Sequence, residues 1–243
     1  MKAVILAAGI ASRLRPLTND RPKCLLEIGG KCLLQRSFDG LIQNGITEFV
    51  VVTGYLHEQI EAFLNNRYQG VAITYIYNEQ YASTNNIYSL WLARPEVEGK
   101  EMLLLDSDIL FDPQIVARLL ASEHQDILAL NNHPLGEEAM KSVPDGEGKV
   151  KEISKTCAIS DATGESIGIE RMSASYTTAL YKELKVMMEQ EGLVNIFYER
   201  AFERLIPQGH TFWIEDTTDL FSTELDTVED FNSAKELIPA ELY

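Results

Sequence analysis

The sequence predicts an α/β fold built on a mixed, mostly parallel sheet, and three observations predict it. Short apolar runs rich in β-branched residues alternate with helical stretches through roughly the first hundred residues. Several of these runs lack polar alternation, as strands buried on both faces should. A loop of small residues and an acidic turn each follow such a run, at the edge where sheets of this kind bind ligands.

The first strand is expected at Lys2 to Leu6, followed by the loop Ala7 to Arg13. Leu33, Leu34, Phe38, Leu41 and Ile42 recur at helical spacing, so Leu33 to Asn44 reads as a helix with Gly45 as its C-cap. Phe49 to Thr53 is a buried strand, Glu58 to Asn66 a helix, Val71 to Tyr77 a strand, Asn86 to Ala93 a helix and Met102 to Leu105 a strand. Beyond this point the pattern is less regular. Strands are expected at Asp126 to Asn131, Lys149 to Ser154, Ile167 to Met172 and Thr211 to Ile214, with a turn at Pro144 to Gly148. Helices are expected at Tyr176 to Glu191, Asn195 to Ile206 and Val228 to Leu237. No linker, low-complexity stretch or repeat divides the chain, so residues 1–243 read as one domain.

Composition narrows the partners. The 243 residues carry 37 Asp and Glu against 21 Lys and Arg, a net charge of −16. Such a surface does not suit nucleic acid or an anionic membrane, both of which reward basic patches. A bound anion must be held by a local positive site working against the overall field. Cys24, Cys32 and Cys157 are odd in number and lack C-x-x-C spacing, which suits reduced thiols in a cytoplasmic protein. The run Ala3 to Ala8 is too short for a signal-peptide core, and no stretch reaches the ~18 apolar residues of a membrane span.

The chemistry concentrates in a few motifs. The run Leu6-Ala7-Ala8-Gly9-Ile10-Ala11-Ser12-Arg13-Leu14-Arg15-Pro16-Leu17-Thr18, with Pro22-Lys23 soon after, places small residues directly behind a buried strand. Small residues allow a ligand to approach the backbone, whose N–H groups can cradle phosphates. Arg13 can grip two phosphate oxygens, and Lys23 adds a point charge. The loop is neither G-x-x-x-x-G-K nor G-x-G-x-x-G. Asp106-Ser107-Asp108 ends a strand, where a carboxylate can hold Mg²⁺ through hard oxygen ligands. Glu224-Leu225-Asp226 precedes the last helix; alternation puts Glu224 and Asp226 on one face, while Asp226 also suits a helix cap.

The first motif resembles the signature of the sugar-nucleotide pyrophosphorylase and cytidylyltransferase superfamily. Within it, Asn85-Asn86-Ile87-Tyr88-Ser89-Leu90 resembles the branch of bacterial phosphocholine cytidylyltransferases and their phosphonate relatives. The resemblance implies a three-layer fold of nucleotide-diphospho-sugar transferase type, Rossmann-like in its nucleotide-binding half (about 1–110), with a substrate half at about 111–243. It implies Mg²⁺-dependent transfer of CMP from CTP to a small phosphorylated amine such as phosphocholine or 2-aminoethylphosphonate. Asp108 and Asp226 correspond to metal ligands. Leu6, Ala7, Ala8, Gly9, Arg13, Lys23 and Asp106 correspond to nucleotide contacts, with Arg13 and Lys23 also catalytic; Thr84, Asn85 and Asn86 stand before a helix, where they either cap it or contact the nucleotide. Lys155, ending Gly148 to Lys155, corresponds to the lysine on the attacking phosphate. For the head group the candidates are Glu165, Tyr198 and Glu199, then Glu170, Tyr176 and Trp213. Arg200 stands where the branch has a carboxylate. His57, His124, His133 and His210 lie apart from the motifs. The rival readings are transfer to a sugar 1-phosphate and a silent nucleotide-binding module. A homodimer stays open.

Overall fold

The structure is a computed structural model that describes residues 1–242. In chain order the first half comprises β1 (Lys2–Ala7), β2 (Glu27–Ile28), β3 (Lys31–Cys32), α1 (Leu33–Gln43), β4 (Glu48–Thr53), α2 (His57–Arg67), β5 (Ala72–Tyr77), α3 (Asn86–Leu92), α4 (Arg94–Val97) and β6 (Met102–Asp106). The second half adds β7 (Ile109–Phe111), α5 (Gln114–Ala121), β8 (Ile127–Asn131), β9 (Lys141–Pro144), β10 (Val150–Ser154), β11 (Gly164–Met172), α6 (Ala174–Glu189), α7 (Glu199–Leu205), β12 (Trp213–Asp216), β13 (Ser222–Glu224) and α8 (Val228–Leu237).

Nine strands form one sheet in the order β10-β9-β11-β6-β1-β4-β5, with β8 paired to β11 and β12 to β8. Strands β1, β4, β5, β6, β8, β9 and β12 run one way, and β10 and β11 run the other. The sheet is thus mixed and mostly parallel. The chain leaves β1 for β4 on one side and later returns to β6 on the other. That reversal of winding opens a crevice beyond the carboxyl end of β1.

Alternation explains the continuous apolar runs. Val4 and Leu6 of β1, Val50 and Val52 of β4, and Met102 and Leu104 of β6 face a core completed by α3, α6 and α7. Ala3, Ile5, Phe49, Val51, Leu103 and Leu105 face the opposite core, closed by α1, α2 and α5. Every second residue meets a different helical layer, so neither face can be polar. A smaller cluster joins Leu14, Leu33, Leu110, Leu225 and Phe231 and packs α8 against the front of the molecule.

Several elements differ from the sequence reading. Helix α6 starts at Ala174, because the Ser173 Oγ accepts a hydrogen bond from the Tyr176 N–H at 3.1 Å and caps it. The helix expected from Asn195 begins only at Glu199. The preceding segment is tied instead to α3: the Asn85 N–H bonds to the Val194 carbonyl, and the Tyr198 N–H to Asn86 Oδ1. Strand β12 lies two residues beyond the expected start, at Trp213–Asp216. Helix α5 and strands β7, β9 and β13 were not expected. Strands β7 and β13 are three residues each and exist through their antiparallel pairing, Ile109 opposite Glu224.

Leu104 is fully buried at the centre of the sheet. Leu104→Ala is expected to lower unfolding free energy by about 2–5 kcal/mol, read from urea denaturation followed by circular dichroism.

Candidate active site

The crevice beyond β1 opens into a cleft of about 510 Å³. One wall is the loop after β1. Ala7, Ala8 and Gly9 line it, and its back is held by the Tyr55 N–H, which donates to the Ala8 carbonyl at 3.1 Å. The loop turns at Ala11, in the left-handed region at φ 52°, and Thr18 Oγ1 donates to its carbonyl at 2.9 Å. A methyl group at Gly9 would meet no atom within 4 Å. Packing therefore does not demand glycine there; the space in front of it is the cleft itself.

The acidic groups arrive from two segments. Asp106 ends β6 and Asp108 follows it. Pairing of β13 with β7, and the Leu225 N–H donating to the Asp108 carbonyl at 3.1 Å, bring Glu224 and Asp226 alongside. Lys23 Nζ lies 2.8 Å from Asp108 Oδ2 and 2.9 Å from Asp226 Oδ1, and Arg13 Nη2 lies 2.7 Å from Asp226 Oδ2. Burial would depress the Lys23 ammonium, but the Asp108 and Asp226 carboxylates outweigh it and hold it above the ordinary lysine value. Burial likewise opposes ionisation of Asp226, yet Lys23 and Arg13 keep its carboxyl below the usual range.

The alternative role of Asp226 as a helix cap is excluded. Thr227 caps α8 in a reciprocal box with Asp230, whose Oδ2 accepts from the Thr227 N–H at 2.7 Å. Asp226 is left to face the cleft.

Two further carboxyls crowd this end. Burial, then the neighbouring Asp108, push Glu224 up to about 8, and the same two effects raise Asp106 well above the carboxylate range. Such crowding is what a divalent ion relieves. Among the described residues no three His, Cys, Asp or Glu side chains form a complete metal cage. Asp108 and Asp226 nevertheless converge on one cation, the Lys23 ammonium. Two carboxylates with room for ligand oxygens and water fit Mg²⁺, which is seldom held by protein groups alone.

The far end is built by the second half. Lys155 follows β10 and lines the cleft, its Nζ 3.1 Å from Glu138 Oε2 and 4.3 Å from the Phe197 ring centroid. The buried Lys141 braces this corner, donating to the carbonyls of Glu137, Ala139 and Lys155 at 3.1, 3.3 and 2.6 Å. Strand β11 bulges between Ser166 and Glu170. There Gly168 adopts φ +70°, and a Cβ would lie 2.8 Å from Asp106 Oδ2, so the bulge can approach β6 only as glycine.

The cleft brings together Leu6, Ala7, Ala8, Gly9, Arg13, Lys23, Thr84, Asn85, Asn86, Asp106, Asp108, Lys155, Glu165, Glu199 and Asp226. Asn85 also caps α3 through Oδ1 at 2.8 Å from the Asn86 N–H.

Four expectations for the head group are corrected. Tyr198 is fully buried and donates its hydroxyl to Asp106 Oδ2 at 3.0 Å; its neighbour Phe197 presents an aromatic face to the cleft instead. Tyr176 is core, packed on Phe212. Glu170 is fully buried behind the wall. Trp213 stacks on His124, its ring centroid 3.8 Å away, outside the cleft. Arg200 is turned out to Glu203, and the carboxylate that lines the cleft here is Glu199, one position earlier. Sequence reading also missed Glu138 and Asn78. It set the histidines apart, yet His133 Nε2 lies 2.8 Å from Glu165 Oε2.

Comparison with known proteins gives these features a setting. The profile of the nucleotidyl transferase family matches residues 2–133. The CMP-5'-(3-aminopropyl)phosphonate synthase of Streptomyces rubellomurinus is 33% identical over 248 residues, covering 96% of this chain and 38% of that protein. The choline-phosphate cytidylyltransferase of Streptococcus pneumoniae is 38% identical over 107 residues, covering 44% of this chain and 45% of that protein. The matches thus span less than half the length of these relatives. A solved CTP:phosphocholine cytidylyltransferase from Streptococcus pneumoniae superposes with a TM-score of 0.76 at 24% identity, covering 98% of this chain and 99% of that one. This likeness establishes the fold. No helix among the described residues is long and apolar enough to cross a membrane.

Gly9→Val is expected to change unfolding free energy by less than about 0.5 kcal/mol while weakening nucleoside triphosphate binding about 10-fold or more, compared by urea denaturation and calorimetric titration. A second expectation concerns Glu199, whose carboxyl burial pushes from an ordinary 4.5 up to about 7. The folded state therefore prefers it protonated, so its contribution is favourable below pH 4.5 and lost as pH rises through 7. Glu199→Gln should gain on the wild type by about 3 kcal/mol between pH 4.5 and 8, measured by urea denaturation at both ends.

Proposed function

The chain belongs to the nucleotidyl transferase family, and we propose that it transfers CMP from CTP to a small phosphorylated amine, releasing pyrophosphate. The observation that carries this reading is the convergence of Asp108, Asp226, Arg13 and Lys23 beside the open face of Gly9. The names of the relatives support cytidine as the base and an amine as the acceptor.

The obstacle to the reaction is the approach of two anions, so charge neutralisation and alignment are what the site must provide. Asp108 and Asp226 would hold Mg²⁺, which when bound withdraws charge from the triphosphate. Arg13 and Lys23 supply the cations for the phosphate oxygens, and the amides of the Ala8–Gly9 loop line their path. Lys155 orients the acceptor phosphate. One of its oxygens attacks the α-phosphorus of CTP; the new P–O bond forms as the bond to the β-phosphate breaks, and pyrophosphate leaves with the electron pair. The attacking oxygen is already anionic at neutral pH, so no general base is required.

Asp108→Asn is expected to lower pyrophosphate release from CTP and acceptor by about 100-fold or more, followed in a coupled phosphate assay. A rate within a few-fold of wild type would show that Asp108 is not a metal ligand. Glucose 1-phosphate turned over in place of amine acceptors would move the chain to the sugar-phosphate reading.

A further inference from the structure

At the far end of the cleft and just behind its wall, two carboxyl groups each keep one oxygen without a donor. Glu199, at the first position of α7, lines the cleft and is 6% exposed. Its Oε2 accepts no hydrogen bond from any described residue. Behind it lies Glu170, whose Oε1 accepts from Ser166 Oγ at 3.2 Å and whose Oε2 has no donor either. Burial first, and then the charge of Glu199, raise the Glu170 carboxyl well above its ordinary range. A buried acceptor without a donor is unfavourable, and more so when ionised, so a native site with two such atoms calls for an explanation.

The Lys155 ammonium works against burial at Glu199, yet no described cation forms an ion pair with Glu199. Lys155 reaches Glu138 and the face of Phe197, and in the proposed reaction its charge is taken up by the acceptor phosphate. Lys141 is committed to backbone carbonyls. The charged groups at this end are Glu138, Glu165, Glu199 and Asp106, with Glu170 buried behind them, against Lys155 and the buried Lys141, with His133 beside Glu165.

The chemistry of the ligand follows from what Glu199 needs. A trimethylammonium group has no N–H to donate and is bound through several aromatic faces. Tyr81 and Phe197 are the aromatic residues lining the cleft. Tyr81 stands on the nucleotide side, its N–H on the Asn78 carbonyl, and the Phe197 face already carries the Lys155 ammonium. A hydroxyl would satisfy one oxygen but leave the charge uncompensated. A primary ammonium brings three donors and the charge together.

Resting on the amine-acceptor reading above, we infer that the acceptor's head group is a primary ammonium, received by Glu199 with Glu170 behind it, in preference to a quaternary one. Phosphoethanolamine and phosphocholine differ only in the three methyl groups on nitrogen, so they test this directly. With CTP and Mg²⁺ fixed, phosphoethanolamine should exceed phosphocholine in kcat/KM about 10-fold or more. Glu199→Gln should lower kcat/KM for phosphoethanolamine by about 10-fold or more, chiefly through KM, and change phosphocholine turnover far less. CTP affinity of the variant, by calorimetry, should stay at the wild-type value and shows that it is folded. Phosphocholine turned over as well as phosphoethanolamine, or both falling equally in Glu199→Gln, would overturn the inference while leaving the amine-acceptor reading intact. Turnover of glucose 1-phosphate alone, or of no acceptor, would overturn that reading and the inference with it.

Discussion

The arrangement of this molecule depends on one electrostatic constraint: a chain with a net charge of −16 must gather anions at a point. It does so with two cations held among carboxylates. Lys23 bridges Asp108 and Asp226 while Arg13 grips Asp226 from the other side, and the backbone is routed to make this meeting occur. Strand β6 delivers Asp108, the three-residue pairing of β7 and β13 delivers Asp226, and the turn at Lys23–Leu25 delivers the lysine. In a medium of lower dielectric than water such contacts are strong, and so is the penalty for any charge left over. The perturbed Glu224 and Asp106 carry that penalty.

The first half of this architecture was legible in the sequence because its signals are local. Runs such as Phe49 to Thr53 must be buried on both sides, and the residues from Leu6 to Arg13 announce a ligand loop through their small size and their place after a strand. The D-x-D turn pointed to the metal end for the same reason. The second half was read less well because its elements are defined by partners far along the chain. Strand β13 has three residues and no periodicity of its own; it exists because Phe111, Leu110 and Ile109 lie opposite. Tyr198 was taken for a substrate contact because an aromatic beside a carboxylate suggests a cation site. Asn86 fixes the Tyr198 backbone, so its ring turns into the core and Phe197 into the cleft. A shift of one position, invisible to composition, decides which ring meets the ligand.

Strand β11 joins the two halves. Its end pairs with β6, its start with β9, and its middle bulges at Gly168 against Asp106. The bulge sets Glu165 and Ser166 on the cleft wall while Glu170 drops behind it. Glu165 and Ser166 are thus carried by a strand hydrogen-bonded to the one that bears Asp106. Lys141 serves the same rigidity from the opposite corner by fixing the backbone at Lys155.

The capping of α8 by Thr227 separates two duties that neighbouring residues often share. Thr227 and Asp230 anchor the helix to each other, and Asp226, one step upstream, contributes no side-chain bond to that anchor. The anchor secures the backbone while the adjacent carboxylate is left to pair with Arg13 and Lys23 in the cleft. A change of side chain at position 226 therefore alters the charge of the cleft without removing the side-chain cap of the helix that follows.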